Sequence, residues 1–501
     1  MPPHPAIVLT PLRVEARAVA AGAPQLETVV CGMGPRRARR AASDLAAECR
    51  GAQAVAVAGF CGGLDPSMRP GDVVVATEVR GPNGSVALPA APLLASAIAR
   101  LGLRVHEGPL VSVDHVVRGE ERARLATVEG AVAVDMETAW LIATASDRPH
   151  AVVRVVVDTA ERELKSVATI PGGVRAYRSL RRVGRALQTW AAAITPRTVL
   201  MAEPQSFCAG VERAIEVVER AIELYGPPVY VRRQIVHNRH VVEELESRGA
   251  VFVDEVDEAP PGARLVFSAH GVAPAVEVAA AQRGQTVIDA TCPLVAKVHR
   301  EVRRFANRGY SIVLIGHGDH DETEGTMGEV PSIQLVSTPE DAAAVAVDDP
   351  ERVAYVTQTT LAHDDVADVL GVLRHRFPDL VGPAADDICY ATQNRQDAVS
   401  AMIDECDVLL VVGSQNSSNS NRLVEVAERA GCPAFLIDEA REIDLSVLAG
   451  TSTIGVTAGA SAPSWIVDRV LVALEGLGPL DVHTRAVTTE TVHFPLPEAV
   501  R

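Results

Sequence analysis

Three cysteines, Cys208, Cys292 and Cys389, stand in the segments SFCAGVERAI, DATCPLVAKVHR and DDICYATQNRQ, 84 and 97 residues apart. That spacing is too wide for a zinc knuckle or a redox pair, so the thiols meet only if three separate substructures converge. Three thiolates around one point suit an iron–sulfur cluster. A cubane held by three protein thiolates leaves one iron open to bind substrate as a Lewis acid while the cluster supplies electrons. Such a centre is an active site rather than an electron wire.

Four further segments in the same half concentrate polar groups that a fold alone does not require: IVHNRHVV with His237, FSAHGVAP with His270, IGHGDHDETEGTMGE with His317, His320 and Glu322, and VVGSQNSSNSNRL with Ser417, Ser418 and Asn419. Histidines that follow apolar strands beside Gly or Asn point to a strand-end pocket, where they can donate hydrogen bonds to a phosphate and, if protonated, add charge. GSQNSSNSN lies between the strand-like DVLLVV and the helical RLVEVAERA, a ready anion site if its N–H groups are free. The plainer reading is a polar loop with a Ser or Asn cap. Taken singly, His237 and His270 read as structural histidines, Glu322 as one of 64 acidic residues, and Thr359 in TQTT as a strand end. It is their combination with the cysteines that indicates a diphosphate pocket.

The elements that must position these residues are also legible. The chain is 501 residues long and 48% hydrophobic, yet it has only three Trp, six Tyr and eight Phe, so its cores are built from Ala, Val, Leu and Ile. Apolar runs such as AVAVAGF, DVVVAT, AVVRVVV, SIVLIG and DVLLVVG alternate with Ala/Glu/Arg-rich helical stretches, the pattern of α/β layers around parallel sheets. A boundary falls near residue 197, where the helical VRAYRSLRRVGRALQTWAAAI gives way past Pro196 to the strand TVLMAEP, dividing the chain into 1–197 and 198–501. In the second half TVLMAEPQSFC, TVIDATC and DDIC each read as a strand and loop delivering a cysteine, which predicts three α/β lobes around a central cavity. With no secretory leader and no apolar run near eighteen residues, a cytoplasmic, membrane-free protein is expected, and the formal charge of −17 opposes nucleic-acid binding. Cys31, Cys49, Cys61, Cys406 and Cys432, in apolar or Ala-rich settings, read as small packing residues.

Taken in order, SFCAGVERAI, VHNRHVV, SAHGV, DATCPLV, IGHGDHDETEGTMGE, VTQTTL, DDICYATQNRQDAV, GSQNSSNSNRL and GASAP resemble the 4-hydroxy-3-methylbut-2-enyl diphosphate reductases, the IspH or LytB family, across residues 198–501. The resemblance implies a three-lobed α/β reductase with a central [4Fe–4S] cluster on Cys208, Cys292 and Cys389. It implies substrate contacts from His237, His270 and His320, proton delivery by Glu322, a role near the substrate alcohol for Thr359, and diphosphate binding by Ser417, Ser418, Asn419 and Ser461. The implied reaction is a two-electron reductive dehydroxylation of an allylic diphosphate to isopentenyl and dimethylallyl diphosphates, fed by a ferredoxin- or flavodoxin-type donor. His317 receives no substrate contact.

Residues 1–197 carry AVAVAGFCGGLDPSMRPGDVVVATEV, AVAVDMETAWL and AVVRVVVDTA. Gly59, Gly62 and Gly63 suggest a tight strand-end loop, and GD before VVV a turn into another strand. GMGPRRARRAA either brings its glycines and arginines to an anion or begins a basic solvated helix. Together these segments resemble the nucleoside phosphorylase and nucleosidase superfamily. The resemblance implies a phosphorylase-like α/β domain with Met136 and Glu137 at the ribose, Asp158 as the acid that protonates a purine, and Glu15 positioning a nucleophilic water. A purine nucleoside is the implied ligand. Arg36, Arg37 and Arg69 are the candidate phosphate-binding arginines, and none is distinguished from the others by its setting.

A competing reading makes the C-terminal half a cluster-based redox sensor or scaffold and the N-terminal nucleoside enzyme the main activity. A sensor has no need of Glu322, Thr359 and a serine-rich anion loop in one assembly.

Overall fold

The computed structural model describes residues 6–48, 52–82, 84–145, 147–159 and 170–501; Cys49 lies outside them. The chain forms two compact units. The first comprises Met1–Val199 with Glu439–Ile454 and Asp468–Val482, and the second Leu200–Asp438 with Gly455–Val467 and His483–Arg501. A cut at 197 follows chain order alone, whereas packing also draws two later segments into the first unit. The buried Arg197 guanidinium is one reason, donating to Ala193 O and Thr195 O and also to Leu448 O and Thr451 Oγ1.

In the first unit a sheet of eight strands runs in the order Glu27–Val30, Ala6–Thr10, Ala54–Gly63, Ala133–Asp135, Val105–Ser112, Val73–Gly81, Gly84–Ala87. The strand His150–Asp158 pairs with both Ala54–Gly63 and Val73–Gly81, so five of the strands close into a ring. Strands such as AIVLT and the HAVVRVVVD stretch are nearly continuous in apolar residues because both of their faces are covered. Gly71, with φ +102, makes the turn into Val73–Gly81, as GD before VVV predicts. Gly59, Gly62 and Gly63, however, do not form a loop. They lie within the ten-residue strand Ala54–Gly63, and what they supply is room: a Cβ on Gly59 would sit 2.4 Å from Arg154 Nη1 and 2.8 Å from Glu15 Oε1.

The second unit is built on three sheets, one for each lobe expected from the sequence. Ala250–Val253, Val229–Arg232, Arg264–Phe267 and Thr286–Asp289 form one; Gln334–Val336, Ser311–Ile315 and Val353–Thr357 another; Ala434–Ile437, Val408–Val412, Thr453–Ala458, Arg197–Glu203 and Leu480–Ala486 the third. The first two are wholly parallel, which places the loops carrying the polar segments at the carboxyl ends of the strands. One expectation fails in detail: no strand leads into Cys389. Its loop is carried instead by the end of Val353–Thr357, through Cys389 N–H to Thr359 O (2.8 Å) and Thr357 N–H to Asp387 Oδ2 (3.2 Å). Cys31, Cys61 and Cys432 are buried, and Cys406 packs with Cys432 in the core behind Val408–Val412.

Candidate functional site

Each of the three cysteines is the residue immediately before a helix: Cys208 before Ala209–Tyr225, Cys292 before Pro293–Asn307 and Cys389 before Tyr390–Ser400. Three helix N-termini therefore converge, and their backbone N–H groups lower the thiols' pKa by less than burial raises it. All three line one cavity of about 110 Å³, together with His237, His270, His320, Glu322, Thr359, Ser417, Ser418, Asn419 and Ser461. The donor set fits a polynuclear metal cluster. Burial first, then the neighbouring sulfurs, pushes the Cys292 thiol up to about 11 and Cys389 to about 12, so thiolates persist side by side only with cationic metal among them. Gly210 completes the cradle, since a Cβ there would lie 2.7 Å from Cys292 Sγ and 3.8 Å from Cys208 Sγ.

Glu322 sits in the first turn of the helix Asp321–Met327 and is buried. Its Oε1 accepts from the Thr359 backbone N–H at 2.7 Å and its Oε2 from the Thr359 hydroxyl at 2.9 Å. Desolvation outweighs these two bonds and raises the carboxyl to about 7, so it can hold or release a proton near neutrality.

The histidines are packed against each other. The His237 and His270 rings stack with centroids 4.0 Å apart, and His320 meets them edge-on at 5.1 and 5.7 Å. Burial holds all three below the ordinary histidine value, His320 at about 4, so they face the cavity as neutral imidazoles and not as the cations the sequence allowed. His320 Nδ1 accepts from the Glu322 N–H at 3.1 Å, which leaves Nε2–H as its donor. His237 Nε2 and His270 Nδ1 are buried and make no hydrogen bond within the protein. Unpaired buried polar atoms are costly.

The serine-rich segment lies beside His237. Ser417 caps the helix Ser418–Arg429 by accepting from Ser420 N–H, so the capping reading is correct; the same residues also line the cavity. Ser461 Oγ reaches His237 O (3.1 Å) and Ser417 Oγ (3.4 Å), and Asn419 Oδ1 accepts from Ala460 N–H at 2.9 Å. Thr360 Oγ1 donates to Ser418 Oγ at 3.0 Å. Hydroxyls, an amide and a helix N-terminus thus line the same cavity as the sulfurs. His317 is apart from this group, its Nε2 3.0 Å from Arg422 Nη2.

Several supporting residues escaped the sequence reading. Arg395 is fully buried; it donates to Ser206 O at 2.6 and 3.2 Å and to Glu490 Oε1 at 3.1 Å, fixing the turn before Cys208, where Ser206 has φ 62. Lys297 Nζ holds the loop before Cys389 through Ala385 O, Asp386 O and Asp387 Oδ1. A charged residue inside the quoted CYATQNRQ segment was the available signal for Arg395; nothing in the chain announces its partner, 95 residues away.

The first unit has its own cavity, of about 440 Å³, and all four residues expected there line it: Glu15, Met136, Glu137 and Asp158. Glu15 accepts from Phe60 N–H (2.7 Å) and Leu12 N–H (2.6 Å), and burial raises it to about 7. Glu137 accepts from Gly34 N–H at 2.7 Å, so the GMG loop does meet an anion, and it is the protein's own. Arg36 and Arg37 open the helix Pro35–Glu48, and Arg69 borders a separate surface cleft with Arg175, Arg178 and Arg182. The arginine that lines the cavity is one the sequence did not distinguish: Arg122, 3% exposed, paired at 3.0 Å with Asp158.

Residues 199–475 match a family model described as LytB protein, and residues 22–172 one described as Phosphorylase superfamily. The 4-hydroxy-3-methylbut-2-enyl diphosphate reductase 1 of Mycobacterium tuberculosis is 58% identical over 309 residues, 61% of this chain and 94% of that protein. The Bordetella pertussis reductase is 58% identical over 303 residues, 60% of this chain and 93% of its own. Among solved structures, the E-1-hydroxy-2-methyl-but-2-enyl-4-diphosphate reductase of Plasmodium falciparum superposes with a TM-score of 0.59 at 35% identity, covering 61% of this chain and 97% of that one.

Proposed function

The chain belongs to the LytB protein family, and from that premise we propose that its second unit reduces (E)-4-hydroxy-3-methylbut-2-enyl diphosphate to isopentenyl and dimethylallyl diphosphates. The observation that carries this reading is one cavity walled by three thiols at helix N-termini, a proton-holding Glu322 and a cluster of hydroxyl and amide groups. Cys208, Cys292 and Cys389 would hold a [4Fe–4S] cluster, which would supply Lewis acidity and relay two electrons, one at a time, from an external donor. The substrate's C–O bond breaks, the oxygen leaves as water, and two electrons and two protons complete the balance.

The residues divide the work. Ser417, Ser418, Asn419 and Ser461 hold the diphosphate with the N-terminus of the helix Ser418–Arg429 behind them, and neutral His237, His270 and His320 add donors without adding charge. Binding energy gathered at the diphosphate orients the distant alcohol. Glu322 gives a proton to the departing oxygen, a poor leaving group as hydroxide, and Thr359 keeps the carboxyl aimed. The second proton is then delivered to either end of the reduced allyl unit, which gives two products. No helix among the described residues is long and apolar enough to cross a membrane; cysteines that work as thiolates need a reducing compartment such as the cytoplasm, where a ferredoxin- or flavodoxin-type protein would be the donor.

The test is anaerobic turnover by the full chain and its Cys292→Ser variant, with iron and sulfide quantified. Cluster-dependent appearance of both five-carbon diphosphates is expected. A fully loaded cluster with no turnover would favour a sensor or scaffold.

The cavity of the first unit supports a second activity on a different substrate, cleavage of a purine nucleoside. Positive charge develops on the ribose and negative charge on the base as the N-glycosidic bond breaks, and Glu137 with Glu15 supplies carboxylates on the ribose side. Release of a free base from purine nucleosides by the intact protein is the measurement that decides it.

A further inference from the structure

We propose that the surface cleft of the first unit, between the turn Arg69–Asp72 and the helix Ile170–Ala192, is a binding site for the diphosphate group of a small molecule. The cleft has a volume of about 310 Å³, and its lining includes Arg69, Asp72, Arg175, Arg178, Ser179 and Arg182. It shares no lining residue with the cavity of Glu15, Glu137 and Asp158, so the two are separate.

The helix brings the charge. Its 23 residues include five arginines and no acid, and Arg175, Arg178 and Arg182, three and four residues apart, share the face turned to the cleft. Like charges at those spacings destabilise a helix. In a chain with a formal charge of −17 acids are abundant, yet the cleft is lined by one, Asp72, and it is already engaged. Asp72 Oδ2 accepts from the Arg69 N–H at 3.0 Å and lies 3.2 Å from His106 Nε2 and 3.8 Å from Arg104 Nε. Among the described residues no carboxylate pairs with the guanidinium of Arg69, Arg175, Arg178 or Arg182. Gly71 keeps the floor of the cleft open: its φ is +102, and a Cβ there would lie 3.1 Å from Arg175 Cβ and 3.7 Å from Ser179 Oγ.

Four guanidiniums without a counter-ion call for an anion of high charge and many oxygens. Arginine's planar fork grips phosphate oxygens two at a time, and a diphosphate offers oxygens on two linked phosphorus atoms, so forks from both walls can engage it together. Ser179, 8% exposed, adds a hydroxyl donor to the wall. The volume is at the small end of small-molecule sites, about 300–1,000 Å³, which suits a compact ligand rather than a nucleic-acid strand. Such a group has three sources: inorganic pyrophosphate, a nucleotide, and isoprenoid diphosphates of the kind the second unit handles. The cleft recognises what they share.

The test is titration of the cluster-loaded full chain with inorganic pyrophosphate, comparing the wild type with Arg178→Gln, Arg178→Lys and the triple variant Arg175→Gln/Arg178→Gln/Arg182→Gln. Pyrophosphate also fits the serine-rich pocket of the second unit, so the cleft is read as the binding that these substitutions remove. Arg178→Gln should weaken that binding by about tenfold or more, and the triple variant should abolish it. Arg178→Lys keeps the charge but not the fork and should fall between wild type and Arg178→Gln. The three helix arginines are exposed, so the unfolding temperature should stay at the wild-type value. Competition for the arginine-dependent site names the source: ADP binding more tightly than pyrophosphate points to a nucleotide, isopentenyl diphosphate to an isoprenoid, and neither to inorganic pyrophosphate, and each result supports the site. Pyrophosphate binding that is the same in wild type and triple variant overturns the proposal. So does orthophosphate bound as tightly as pyrophosphate, or a single-stranded oligonucleotide bound more tightly than either.

Discussion

Thr359 offers its backbone N–H to one oxygen of Glu322 and its hydroxyl to the other, at 2.7 and 2.9 Å, so a single residue fixes both the position and the rotation of the buried carboxyl. The N–H comes from the end of the strand Val353–Thr357 and the carboxyl from the first turn of Asp321–Met327, so proton donor and clamp belong to adjacent elements of one lobe.

Glu322→Gln keeps an acceptor for the Thr359 N–H but carries no transferable proton. Turnover should fall by about 10²–10⁴-fold while cluster content and substrate affinity stay close to wild type. Single-turnover product formation beside iron analysis checks this; normal turnover would take Glu322 off the proton path.

The pH profile follows from the same carboxyl. Its value is raised to about 7, so the protonated donor is present below that pH and lost above it, and kcat should decline on the alkaline side with a midpoint near 7. Thr359→Val removes a hydrogen bond that lowers Glu322, so the midpoint should move upward as kcat drops by about tenfold. A midpoint that stays in place would mean another group sets the limb.

Removing the Ser417 hydroxyl or the Asn419 amide should weaken substrate binding by about 10- to 100-fold for each hydrogen bond to a charged phosphate lost, without changing iron or sulfide content. Titration calorimetry on cluster-loaded protein measures the first and chemical analysis the second. Loss of cluster colour in these variants would contradict the division of labour between the thiols and the serine-rich segment.

Gly210→Ala places a methyl group 2.7 Å from Cys292 Sγ. Overpacking of this kind costs about 1–3 kcal/mol, and here it falls on the cradle, so the variant should fold but hold less iron and lose it faster in air. Iron content equal to wild type would show that Gly210 is a neutral neighbour.

Gly59→Ala tests the first unit in the same way, since its Cβ would press on Arg154 Nη1 and Glu15 Oε1. Base release should fall and reductase turnover should not; a fall in both would mean that the two activities are coupled.

The sequence alone determined which residues could do the chemistry. Thiols, imidazoles, Glu322 and the GSQNSSNSN run are rare types set in short polar segments after apolar runs, and period and composition place such segments at strand ends except at Cys389, into which no strand leads. Three lobes were legible for the same reason. What the chain could not show was anything set by contact between distant segments. The Arg395–Glu490 pair behind Cys208 and the Arg122–Asp158 pair each join charged residues that look like ordinary surface ones until packing buries them. The glycines of AVAVAGFCGG read as a loop because glycine usually marks a turn, whereas their work is to leave space for Arg154, Glu15 and Arg122. The histidines' neutrality and the raised carboxyls of Glu322 and Glu15 were likewise decided by burial. Residue type fixes which proton can move, and only the tertiary structure, by excluding water, sets the pH at which it does.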